Sequence, residues 1–67
     1  MLGLKFARMR KGMTQQELAD IIGVNKLMIS RYEVGTAKPS IEKLIKMAEI
    51  LNVTVDYIVK GEVNNEN

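Results

Sequence analysis

The chain has 67 residues, with ten Lys or Arg against eight Asp or Glu and neither Cys nor His, for a formal net charge of +2. That length holds one domain, near the size at which a single core barely suffices for folding, and without cysteine no disulfide or thiolate-bound metal can staple it. With 46% hydrophobic but only 4% aromatic residues, the core must come from Leu, Ile, Val, Met and Ala, which favours packed helices over a sheet.

No apolar run approaches the ~18 residues of a membrane span, and the opening MLGLKFARMRKG lacks the continuous apolar stretch of a secretory signal. A soluble, cytoplasmic protein without membrane association is expected. The charge is unevenly placed. Through Lys38 there are seven cations and three anions, net +4, whereas the remainder carries three cations and five anions, net −2. The N-terminal half is therefore the expected face toward a polyanion.

In chain order, Leu4, Ala7 and Lys11 fall at helical spacing and Gly12 is a stop, predicting a first helix from about Leu2 to Lys11. Leu2, Phe6 and Met9 form a second apolar stripe, expected to cover a neighbouring helix. Thr14 followed by Glu17 is a capping box that starts a second helix. Leu18, Ile21 and Ile22 give that helix its apolar face, and Gly23 suits a left-handed cap at its end. Asn25 then caps a third helix, Lys26 to Glu33.

VGTAKPS contains Gly35 and Pro39 and has no usable period, so it reads as a loop. Ser40 caps a fourth helix with Leu44, Ile45, Ala48 and Leu51 on its buried side. Thr54 caps a short fifth helix containing Val55, Ile58 and Val59 and ending at Gly61. The domain therefore runs over 1–61, and the polar tail EVNNEN over 62–67 is expected to fray. The five methionines, Met1, Met9, Met13, Met28 and Met47, read as pliable core filler.

The segment TQQELADIIGVNKLMISRYE, residues 14–33, is more specific than two helices in succession. Numbered from Gln15, apolar residues stand at places four (Leu18), eight (Ile22), ten (Val24), fifteen (Ile29) and eighteen (Tyr32), with Ala19 at five and Gly23 at nine. Ala19 must be small where two helices cross, Gly23 supports a tight turn, and Val24 and Ile29 plug the junction. This spacing resembles the helix-turn-helix motif. Together with ARMRKGMTQQELADIIGV, ISRYEVGTAKPS and LNVTVDYIVKG, it makes residues 4–61 similar to the all-α, five-helix domain of phage repressors and Cro proteins, widespread among XRE-like bacterial regulators.

The resemblance implies that the third helix enters the major groove of double-stranded DNA with its N-terminal residues at base edges. If Ile29 and Tyr32 face inward, Lys26, Leu27, Ser30 and Arg31 face outward as base contacts. An outward Leu27 between cations is unfavourable in water but suits a thymine methyl, while Lys26 and Arg31 can donate to guanine O6 and N7. By the same resemblance, Gln15 matches a phosphate-contacting position at the start of the second helix; Asn25, Thr36, Lys38 and Arg8 are further candidates for the backbone. Arg8 and Glu33 match a pair that ties the first helix to the end of the third, implying a structural ion pair.

With neither His nor Cys and no Gly-rich phosphate cradle after a strand, the sequence offers no constellation for catalysis, and no cofactor is expected. The reading is a sequence-specific transcriptional regulator, a repressor that binds a palindromic operator as a homodimer, because one short helix reads too few base pairs for useful selectivity. Val53, Val55, Ile58 and Val59 are the expected dimer interface. Control would come from protein concentration, a partner or an antirepressor. The alternative is a protein-interaction module that keeps the fold without the DNA role, such as an antitoxin or an accessory subunit.

Overall fold

The computed structural model describes residues 1–61, within which every regular element is helical: α1 (Leu2–Arg10), α2 (Gln15–Ile22), α3 (Lys26–Val34), α4 (Ile41–Leu51) and α5 (Val55–Lys60). The tail at 62–67 lies outside the described residues. Helix starts follow the capping chemistry. Thr14 Oγ1 accepts from the Glu17 amide at 3.0 Å while Glu17 Oε1 accepts from the Thr14 amide at 2.8 Å, completing the capping box. Asn25 caps α3 through the Met28 amide at 2.9 Å, Ser40 caps α4 through Lys43 at 3.2 Å, and Thr54 caps α5 through Tyr57 at 2.9 Å. Each such bond satisfies one of the amides that a helix leaves unpaired in its first turn.

Gly23 closes α2 with φ +88°, a left-handed conformation that a β-carbon would strain. Its amide and that of Val24 both bond to the Ala19 carbonyl, at 2.8 and 3.0 Å, so the chain turns at once into α3. The third helix runs one residue past Glu33, to Val34.

Five side chains, one from each helix, meet at the centre: Leu4, Leu18, Ile29, Met47 and Ile58 are all fully buried. Ala7, Ala19, Ile22, Tyr32, Ala48 and Leu51 complete the core around them. At roughly 1.5–3 kcal/mol for each large apolar side chain removed from water, this cluster supplies the main driving force.

The apolar faces are narrower than the sequence spacing suggests. Ile21 and Ile45 are exposed, at 44% and 47%, although both were expected inside. At about 100° per residue, each lies more than 100° round its helix from the centre of the face formed by its buried neighbours. In α4 the core position goes to Met47, with Leu44 half-buried. The stripe Leu2, Phe6 and Met9 is not sealed beneath a neighbouring helix; it lies on the side of α1 opposite Leu4 and Ala7 and remains 54%, 44% and 57% exposed. Met9 is accordingly not core filler, whereas Met47 is.

Packing and paired charge bind α1 to the rest. Gly3 is buried against α5 so closely that a β-carbon there would stand 1.8 Å from the Tyr57 carbonyl oxygen and 2.9 Å from that of Ile58. Farther along, the Arg10 guanidinium lies 6.0 Å from the centre of the Tyr57 ring, within range of a cation–π attraction. On its other side, Arg8 meets Glu33 of α3: Nε donates to Oε2 at 2.6 Å and Nη2 to Oε1 at 3.3 Å. The two side chains are only 11% and 4% exposed. Arg8 Nη1 also donates to the Met13 carbonyl at 2.8 Å, fixing the connection between α1 and α2.

Two outcomes test this packing. By helix propensity alone Gly3→Ala should stabilise by up to about 1 kcal/mol; the α5 backbone in its way reverses the sign, and a loss of about 1–3 kcal/mol in urea unfolding is expected. Glu33→Ala strands a buried guanidinium and should cost about 3–5 kcal/mol. In a domain of this size that lowers the melting temperature by more than ~10 °C; a shift of only a degree or two would show that the pair contributes little.

Candidate nucleic-acid interface

The third helix divides lengthwise into two surfaces. Ile29 and Tyr32 are buried, 0% and 4% exposed, with Glu33 beside them and Met28 half-buried at the margin. Lys26, Leu27 and Arg31 are exposed and Ser30 is half-buried. At about 100° per residue, those four span an arc of roughly 140° away from the core. Leu27 is 56% exposed. Two long cationic side chains with an apolar one between them thus stand on the outward side of a short helix whose inner face is locked.

Polar donors surround this face. Asn25 spends its side-chain oxygen on the Met28 amide, which leaves its NH₂ group as a donor beside the start of α3. Thr36 and Lys38 are exposed in the loop between α3 and α4. Gln15 is the first residue of α2 and half-buried. Amides in the first turn of a helix point outward from its end, where the helix dipole favours an anion.

Gln15 also has an inward bond that its sequence position did not reveal: its Nε2 donates to Glu33 Oε1 at 2.9 Å. The partners are 18 residues apart on different helices, so no local period signals the contact. Only the pairing of Arg8 with Glu33, implied by resemblance, points to that place.

Arg8 is turned inward: its guanidinium serves Glu33 and the Met13 carbonyl and is 11% exposed, so its bonds in the structure are those of the expected ion pair. Ile58 cannot line an interface between copies, because it is fully buried in the chain's own core. Of the other residues named for that interface, Val53 and Val55 are half-buried against the core and Val59 is 49% exposed.

Among the described residues no group of three or more acidic side chains is placed to hold a metal ion. A cavity of about 270 Å³ lies between Met1, Gly35, Ala37, Lys38, Pro39, Leu44 and Val59. Among the lining side chains Lys38 is charged, and none carries a carboxylate. No described helix is long and apolar enough to cross a membrane.

Comparison with known proteins agrees with this geometry. The Helix-turn-helix family profile matches residues 4–58, from the first core residue of α1 to the last of α5. The chain is 40% identical over 63 residues to the HTH-type transcriptional regulator YqaE of Bacillus subtilis, spanning 94% of this chain and 54% of that protein. It is 40% identical over 58 residues to the SPbeta prophage-derived regulator YonR of the same organism, spanning 87% and 54%. To the cryptic phage CTXphi transcriptional repressor RstR of Vibrio cholerae it is 32% identical over 65 residues, spanning 94% and 58%. The chain spans just over half the length of these relatives. With the capped α2, the left-handed turn at Gly23 and the two-faced α3, the match assigns the chain to the XRE-like helix-turn-helix family.

Proposed function

We propose that the protein is a transcriptional regulator that reads double-stranded DNA through the outward face of α3, in the bacterial cytoplasm, and acts as a repressor. The observation that carries this reading is the exposure of Leu27 between Lys26 and Arg31 on a helix whose opposite face is sealed by Ile29 and Tyr32. Arg31 is the candidate for a bidentate contact to guanine, Lys26 for a single donor, Leu27 for a thymine methyl, and Ser30 for a lesser contact at the margin. Gln15, Asn25, Thr36 and Lys38 are the candidates for phosphate. These would fix orientation and, where cationic, set the salt dependence without reading sequence.

A homodimer on a palindromic operator follows from the smallness of one recognition helix, which covers too few base pairs to find a site in a genome. Val55 and Val59, one turn apart on α5, with Val53 nearby in sequence, remain the candidate surface between copies. The repressor role draws support from the similarity to RstR, named as a repressor. Control by an antirepressor or another partner protein remains part of the proposal.

The rival reading, a protein-interaction module, draws on the exposed stripe Leu2, Phe6 and Met9. Salt separates the two. DNA binding that weakens steeply between low and moderate salt supports the first, and salt-insensitive association with a protein supports the second.

In vitro selection from a random duplex library is the direct test. Enrichment of an inverted repeat with half-sites about 10 bp apart, or a multiple, is expected of a dimeric reader; no enrichment at any salt would overturn the proposal. On the selected site, Arg31→Ala should relax preference at one or two positions by about 1–3 kcal/mol, whereas Gln15→Ala should weaken all duplexes about equally. The reverse pattern would mean that the two helices have exchanged roles.

A further inference from the structure

One carboxylate serves three helices. Glu33 Oε2 accepts from Arg8 Nε at 2.6 Å, and Oε1 accepts both from Arg8 Nη2 at 3.3 Å and from Gln15 Nε2 at 2.9 Å. The ion pair with Arg8 has an evident purpose in joining α1 to α3. The third bond does not, because Gln15 is already held in place by the capped first turn of α2.

A primary amide nitrogen carries two N–H donors, and its carbonyl carries none. Glu33 takes one donor and thereby decides which way the amide of Gln15 is turned. The nitrogen faces the carboxylate, and its second N–H diverges from the first, away from Glu33. Without that bond the amide could turn over and present its carbonyl to an approaching anion, which would repel it. Arg8 matters again here, since an unpaired carboxylate behind Gln15 would itself oppose a phosphate, whereas the Arg8–Glu33 pair is close to neutral.

We propose that Glu33 is a positioning residue for phosphate binding: it never touches DNA, but it fixes the Gln15 amide so that its second N–H acts with the outward backbone amides of α2 on one phosphate. The inference rests on the DNA-binding reading above. The orientation is set when the chain folds, so the side chain loses little further freedom on binding.

The test is a double-mutant cycle on duplex affinity, using the full chain, the selected duplex and a scrambled one, well below the melting temperature of each variant. Gln15→Leu and Glu33→Gln should each weaken both duplexes about three- to tenfold, the scale of one hydrogen bond. The double variant should be no weaker than either single one. Losses that multiply would overturn the proposal, since Glu33 would then act through stability alone.

A second measurement avoids a destabilised variant. In ¹⁵N-labelled wild-type protein, saturation with the duplex should move one Gln15 side-chain proton and leave its partner, held by Glu33, near its original position; an unmoved pair would overturn the proposal. If the wild type retains no duplex at all, the DNA-binding reading fails and the inference with it. Wild-type binding with multiplicative losses removes the inference alone.

Discussion

A carboxylate withdrawn from water must be compensated where it lies, and Glu33 imposes that requirement on the whole N-terminal half. Its side chain is 4% exposed, at the inner end of α3. The partners that meet the requirement come from α1 and α2. The buried charge thereby does more than an apolar residue of similar size could: it specifies direction. An aliphatic cluster tolerates sliding of one helix over another, whereas a fork of donors on two oxygens does not. Replacing such pairs by hydrophobic residues is often neutral or favourable for stability, so the value of this one lies in the register it sets between α1, α2 and α3.

The features legible in the sequence were those whose cause is local. Thr14 with Glu17, Asn25, Ser40 and Thr54 act within three residues of themselves, and all four cap as their chemistry requires. Gly23 acts within a single turn. The errors arose where a second element decides. Ile21 and Ile45 have the right character for a core, but the width of the buried face depends on how closely the neighbouring helices approach. Gly3 shows the converse: nothing in LGLKFARMR announces that α5 crosses there, and only the partner backbone gives the residue its meaning.

The candidate site shows the same division. The outward position of Lys26, Leu27 and Arg31 follows from helical period once Ile29 and Tyr32 are inside. The inward turn of Arg8 could not be read from its charge, which suits phosphate and carboxylate alike. Its nearness to Glu33 accounts for the inward turn, since the buried carboxylate draws the guanidinium toward it.

The separation of α3 into a sealed face and an open one also bears on how such a protein can change over generations. Lys26, Leu27 and Arg31 contribute little to the core, so substitutions there carry little penalty in folding. The outward side chains can therefore change through stable intermediates, while Ile29, Tyr32 and Glu33 are held by the packing and pairing of the fold itself. A surface that tolerates change and one that does not thus share nine consecutive residues.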